Sequence, residues 1–254
     1  MPTDYNMDKL KIIILAGGLG KRMNNPQQPK VLISLKGRPL ISYLLEAIKK
    51  SGICARPLIV VGAKAELVKA ALGADYDYVL QPEQLGTGHA VMCAAPELKG
   101  VAEDIMVLYG DQPLMQPETI AKLAAAHLSG GKVITMGTVT VDDFLQWRGG
   151  FYDFGRVVRD QAGTVCSIVE RKDASAQQLE IKELNPSYFC FKASWLWPAL
   201  SELKNDNRQK EYYLTDLAAI ACQQGAEIAT VAIEPREAVG VNTEEQLKLV
   251  EELV

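Results

Sequence analysis

Leu10-Lys11-Ile12-Ile13-Ile14-Leu15-Ala16-Gly17-Gly18-Leu19-Gly20-Lys21-Arg22-Met23 decides the architecture of this chain. Residues 10–15 form a short, branched, apolar run, as a strand buried on both faces requires. Directly behind it comes a glycine-rich, basic loop. Glycines at such a turn let backbone N–H groups approach phosphate oxygens with no Cβ in the way. Residue type excludes two familiar phosphate loops. A dinucleotide fingerprint starting at Gly18 needs a third glycine where Met23 stands, and the next acid, Glu46, falls inside a predicted helix rather than at a strand end. A Walker A loop ending at Gly20-Lys21 needs Ser or Thr at Arg22 and Gly at Leu15. Lys21, Arg22 and the Lys30 of Gln28-Pro29-Lys30 surround the loop with cations suited to a polyphosphate. Taken alone, the same loop reads equally as a solvated surface turn.

Outward from this stretch, short apolar runs alternate with amphipathic segments. Leu40, Ile41, Leu44, Leu45 and Ile48 share one helical face, and Gly52 is placed to close that helix. Residues 57–61, 76–80 and 105–109 read as strands, and 63–72, 87–95 and 118–128 as helices. The alternation predicts an α/β fold: an open, mixed but mainly parallel Rossmann-like sheet with helices on both faces. The second half is less regular. Residues 156–159 and 164–169 read as a hairpin through Asp160-Gln161-Ala162-Gly163, followed by a strand at 188–191. Helices are expected near 195–203 and at 214–223 and 243–253. Trp195 and Trp197 are expected in the core of a second-half lobe, and His89 on a helix as a structural or surface residue. With no repeat or flexible linker, 1–254 reads as a single domain, its nucleotide-binding part at about 10–140 and a substrate lobe at about 141–254.

Composition narrows the function. Across 254 residues, 48% are hydrophobic and 23% charged, which excludes a mainly disordered chain. A net charge of -4, from 27 Lys and Arg against 31 Asp and Glu, argues against a nucleic-acid partner but leaves room for a small cationic pocket. Five scattered cysteines read as reduced thiols, and two histidines give little material for a metal centre of their own. The first apolar run is too short to span a bilayer, so a soluble, cytoplasmic protein with no membrane partner is expected.

Two further stretches follow strands. Tyr109-Gly110-Asp111 ends the strand at 105–109, where an acidic side chain can hold magnesium against substrate phosphates or simply form a turn before Pro113. In Gln81-Pro82-Glu83-Gln84-Leu85-Gly86-Thr87-Gly88-His89, the glycines permit close backbone approach, and the Gln81 amide both donates and accepts, as a pyrimidine edge demands. Thr87 also reads as a helix N-cap.

Together these stretches resemble the sugar-1-phosphate nucleotidyltransferases, in particular the uridylyltransferase domain of the bacterial bifunctional N-acetylglucosamine-1-phosphate uridylyltransferase/glucosamine-1-phosphate acetyltransferase. Pro29-Lys30-Val31-Leu32, Tyr109-Gly110-Asp111-Gln112-Pro113-Leu114, Gly155-Arg156, Glu170-Arg171-Lys172-Asp173-Ala174, Glu183-Leu184-Asn185, Glu211-Tyr212-Tyr213-Leu214-Thr215-Asp216 and Gly240-Val241-Asn242-Thr243 continue the match in the family's order. The resemblance implies a three-layer nucleotide-diphospho-sugar transferase fold. It implies that Leu15, Ala16, Gly17 and Gly18 hold the nucleotide, that Arg22 and Lys30 stabilise its phosphates, and that both act with Asp111 in catalysis. Gln81, Gly86 and Thr87 would read uracil, and Asp111 and Asn242 would bind Mg2+. Tyr109, Gly110, Gly155, Glu170 and Asn185 would bind substrate on the sugar side, with Glu211 nearby.

The implied reaction is attack of a sugar 1-phosphate oxygen on the α-phosphorus of UTP, releasing pyrophosphate. N-acetylglucosamine 1-phosphate is the expected acceptor. Another sugar 1-phosphate, dTTP as donor, or a non-catalytic sugar-nucleotide sensor are the alternatives. This chain departs from the pattern at Asn185-Pro186-Ser187, where the family's closest members read Asn-Thr-Gly, and in a longer 142–154 segment carrying Trp147, Phe151 and Phe154. These departures fall on the sugar side. The chain ends at Val254 without a left-handed β-helical repeat, so no acetyltransferase domain is expected.

Overall fold

In the computed structural model, which describes residues 9–18, 20 and 28–254, the opening apolar run is strand β1 (Leu10–Ala16). Its side chains alternate between two cores, as period-2 geometry dictates. Ile12 and Ile14 face one helical layer, Ile13 the other, and all three are fully buried. A two-residue hairpin follows, β2 (Ser34–Leu35) and β3 (Arg38–Pro39), then α1 (Leu40–Ser51), closed by Gly52 in the left-handed conformation at φ 70°. Strands β4 (Leu58–Val61), β5 (Asp77–Leu80) and β6 (Asp104–Tyr109) alternate with α2 (Ala65–Leu72), α3 (Thr87–Leu98) and α4 (Pro117–Gly130). β1 lies between β4 and β6, parallel to both, with Ile13 opposite Leu58 and Val107.

The less regular half returns to the same sheet. β7 (Ile134–Thr140), unassigned by the sequence patterns, is a central strand. After β8 (Gly155–Arg159), β9 (Val165–Val169), α5 (Ala176–Leu179) and β10 (Glu183–Asn185), β11 (Phe189–Lys192) runs antiparallel between β6 and β7. Then come α6 (Ala193–Leu200), α7 (Leu217–Gln223), β12 (Ile228–Ala232) and α8 (Glu244–Leu253), with β12 parallel to β7. The ten-stranded sheet has the order β5-β4-β1-β6-β11-β7-β10-β8-β9, with β12 on β7. This is the expected three-layer, mixed and mainly parallel α/β fold.

Trp195 and Trp197 sit differently from expectation. No separate lobe core holds them: both lie half-buried against the layer that α3, α6 and α7 form with the main sheet. The Trp195 ring stacks on Phe191 of β11, because that strand has been drawn into the sheet beside β6. The hairpin through 160–163 forms as read.

The longer 142–154 segment coils as a 3-10 stretch over Gln146–Asp153. It closes around Arg156, which is fully buried, packs over the rings of Phe144 and Tyr152 and donates to the carbonyls of Tyr152 and Phe154. All five cysteines are free thiols. No helix among the described residues is long and apolar enough to cross a membrane.

Candidate active site

The site forms where β1 and β6 end side by side. Leu15 and Tyr109 are register partners, so the glycine-rich loop and Gly110-Asp111 leave the sheet together. Gly110 N donates to Leu15 O at 3.1 Å, and a Cβ at Gly110 would come within 2.9 Å of Val31. Glycine therefore lets this turn pack closely against Val31. Behind the loop, Lys30 opens a short 3-10 turn (Lys30–Leu32), and its N–H donates to Gly18 O at 3.2 Å. Leu19 and residues 21–27, Lys21 and Arg22 among them, lie outside the described residues.

Lys30 joins three remote parts of the chain. Its ammonium donates to Asn242 Oδ1 at 2.6 Å and is ion-paired with Asp111. Both members of the ion pair are largely buried, where charge is weakly screened. Asn242 is held by local capping: its N–H donates to Gln246 Oε1 at 2.6 Å, while Thr243 caps α8. Val241 N donates to Asp111 O at 2.9 Å, which fixes this terminus beside the β6 turn.

A cavity of about 230 Å3 opens on one side of Lys30. Leu15, Ala16, Gly17 and Gly18 line it from β1, and Gln81, Gly86 and Thr87 from the loop after β5. Gly86, at φ 109°, is packed so closely that a Cβ would come within 2.6 Å of Tyr212 O. Gly88 N donates to Tyr212 O, Tyr212 N to Leu85 O, and Leu214 N to Thr87 Oγ1. These bonds stitch the loop to 211–214. Gln81 is almost fully buried and gives its amide nitrogen to Gly86 O at 3.0 Å, beside the His89 ring. Its oxygen is left facing the space over Gly17, where a Cβ would come within 2.8 Å. His89 is thus half-buried on α3, packed against the side chain that lines the cavity.

A second cavity, of about 260 Å3, adjoins on the far side of Tyr109 and Asp111. Gly155, Glu170, Asn185 and Asn242 all line it. Glu170 accepts from Thr215 Oγ1 at 3.0 Å, and burial raises its carboxyl above the usual range. Burial also raises the Tyr109 phenol, an effect that the neighbouring Thr87 and Ser187 side chains partly offset. The structure therefore brings together every candidate residue that it describes. Glu211 lines the first cavity rather than the second, with its carboxyl raised by burial. Gln84, which donates to Gly17 O, and Gln112 and Ser187 in the second cavity had no role assigned from sequence. Position alone signals the first two, since they stand inside the quoted motifs.

A mainly parallel sheet with a glycine-rich loop at its carboxyl edge, a Lys-Asp-Asn junction and cavities beside it has its candidate site where open α/β sheets bind ligands, and its relatives make it a nucleotidyltransferase. Residues 12–219 match the MobA-like NTP transferase domain, and the chain belongs to that family. It is 43% identical over 244 residues to the bifunctional protein GlmU of Pelobacter propionicus, covering 95% of this chain and 51% of that protein. It is 40% identical over 242 residues to that of Heliobacterium modesticaldum (95% and 51%), and 38% identical over 248 to that of Caldanaerobacter subterraneus subsp. tengcongensis (98% and 52%). The chain spans about half the length of these curated relatives.

Proposed function

We propose that this domain transfers UMP from UTP to a sugar 1-phosphate, with N-acetylglucosamine 1-phosphate the expected acceptor, giving UDP-N-acetylglucosamine and pyrophosphate. The observation that carries this reading is the Lys30-Asp111-Asn242 junction between two cavities. It stands where a nucleotide phosphate from one side and an acceptor phosphate from the other would meet. The similarity to GlmU proteins supports the choice of substrates.

Asp111 and Asn242 present hard oxygen donors to a single ammonium. Among the described residues, no group of three or more His, Cys, Asp or Glu could hold a metal alone. So sparse a donor set fits Mg2+, which takes one or two carboxylates and completes its shell with phosphate oxygen and water. Asp111 and Asn242 would hold the ion, whose chemistry is neutralisation of phosphate charge.

The chain's own groups account for the rest. The backbone of Gly17 and Gly18 lies open to phosphate, and Gln81, Gly86 and Thr87 form the wall that meets the base. An acceptor phosphate is already ionised at neutral pH, so attack needs no general base. One of its oxygens forms a bond to the α-phosphorus as the bond to the β-phosphate oxygen breaks, and pyrophosphate leaves. Lys30 balances the charge that grows on the phosphates, and the same role is proposed for Arg22. Glu170, Asn185 and Gly155 line the side that orients the sugar.

The test is pyrophosphate release with UTP, dTTP and Mg2+ across a panel of sugar 1-phosphates. Release with UTP and N-acetylglucosamine 1-phosphate is expected. Release only with another sugar would assign the Pro186-Ser187 departure to acceptor choice. Nucleotide binding with no release from any pair would favour a sensor.

A further inference from the structure

His89 lies half-buried on the first turn of α3, behind the wall of the first cavity rather than in it. Its Nδ1 is 3.3 Å from Gln81 Nε2, and its Nε2 is 3.8 Å from Cys93 Sγ, one turn further along the helix. Gln81 Nε2 also donates to Gly86 O at 3.0 Å. A carbonyl can only accept, so this bond fixes which end of the Gln81 carboxamide is the nitrogen. The second hydrogen of the same NH2 then meets His89, whose Nδ1 must accept it. The ring hydrogen belongs on Nε2, toward the Cys93 sulfur.

Both amide hydrogens are thus engaged behind the wall, and the oxygen is what remains to face the cavity. Gln81 lines that cavity, and its Oε1 lies where a Cβ on Gly17 would come within 2.8 Å. Turning the carboxamide over would set its oxygen against the Gly86 carbonyl and the His89 lone pair, leaving two acceptors without a donor. The outward group is therefore an acceptor. At N3, uracil and thymine carry a hydrogen, which suits such a group. Cytosine carries a lone pair there, which opposes it.

We propose that His89 is a positioning residue for base choice: by accepting from Gln81 Nε2 it keeps the Gln81 oxygen turned to the base. Uridine and thymidine nucleotides are then taken and cytidine nucleotides refused. The proposal rests on the reading that the first cavity receives the base, and carries it from Gln81 to the side chain behind.

The experiment measures dissociation constants and pyrophosphate release for UTP and CTP in the parent protein, His89→Phe, His89→Leu and His89→Asn. Phe and Leu remove the acceptor. Asn restores one, since its Oδ1 branches from Cγ as the ring Nδ1 does. The parent should bind UTP about tenfold or more tightly than CTP. Loss of one hydrogen bond should shrink that preference about three- to tenfold in His89→Phe and His89→Leu, through KM for UTP rather than kcat. His89→Asn should return most of it. A preference unchanged in His89→Phe and His89→Leu, or lowered as much in His89→Asn, would assign His89 to packing and overturn the proposal. So would a parent that takes UTP and CTP alike. A parent that binds neither nucleotide would sink the reading of the cavity, and this proposal with it.

Discussion

Lys30 Nζ sits 2.6 Å from Asn242 Oδ1 while ion-paired to Asp111, so one side chain holds both oxygen donors proposed for the metal. An ammonium at that position repels a divalent cation from the same two oxygens. Lys30→Met should therefore bind Mg2+ more tightly in the absence of nucleotide, read by titration calorimetry. The same substitution should lower turnover with UTP by about a hundredfold or more, with the fold intact by circular dichroism. Unchanged Mg2+ affinity would show that Lys30 does not compete for the site.

Gly86 joins the base-side loop to 211–214. At φ 109°, with Tyr212 O in the way, Gly86→Ala should cost about 1–3 kcal/mol and weaken UTP binding. Gly37, also left-handed at φ 81° but with open space where a Cβ would go, provides the control. Gly37→Ala should cost about 1 kcal/mol and leave UTP affinity unchanged. Urea midpoints and nucleotide titrations compare the two, and an equal effect on binding would remove Gly86 from the site.

Asp216 carries a carboxyl raised to about 6 by burial, with Asp206 and Asp173 adding repulsion. The folded state therefore holds this proton more tightly than the unfolded chain, whose value is near 3.8. Stability from this group is fully present below the unfolded value and is lost as pH rises through the folded one. Asp216→Asn should raise Tm at pH 7 and above and make no difference near pH 3.5. A constant gain at every pH would assign the effect to packing.

Arg156 has two buried nitrogens, Nε and Nη2, without partners among the described residues. Burial lowers its pKa from the usual value. A hydrophobic replacement of similar length should then be tolerated better than truncation. Arg156→Ala is expected to lose about 2–4 kcal/mol in urea unfolding, and Arg156→Met clearly less. The reverse order would show that the bonds to Tyr152 O and Phe154 O outweigh packing.

What sequence could reveal here depended on range. β1, α1 with Gly52, and the hairpin through 160–163 are encoded within a few neighbouring residues, and they stand as read. β7 escaped notice because Gly137 interrupts its apolar run. That glycine is required where Tyr188 and Ile233 press on the strand, a contact no local pattern records. The place of Trp195 is equally hidden from local pattern, since β11 reaches β6 only through long-range pairing. The glycines that line the first cavity behind β1 are legible in the sequence because they follow the strand directly. The second cavity was not, because Asp111, Gly155, Glu170, Asn185 and Asn242 meet only through the fold. Their roles came from resemblance to a family, and the bond between Gln81 and His89 came from neither source.

One edge of β7 is shared by two strands in succession. It pairs with β11 through Ile134, Thr135 and Met136, then with β10 through Val139 and Thr140, and Pro186-Ser187-Tyr188 bridges the gap between the partners. That interruption is where β10 turns away to carry β8 and β9. On the proposed function, acceptor choice would hang from the periphery of the sheet, and phosphate chemistry from the strand ends at its middle, so that a change at the rim need not disturb the second.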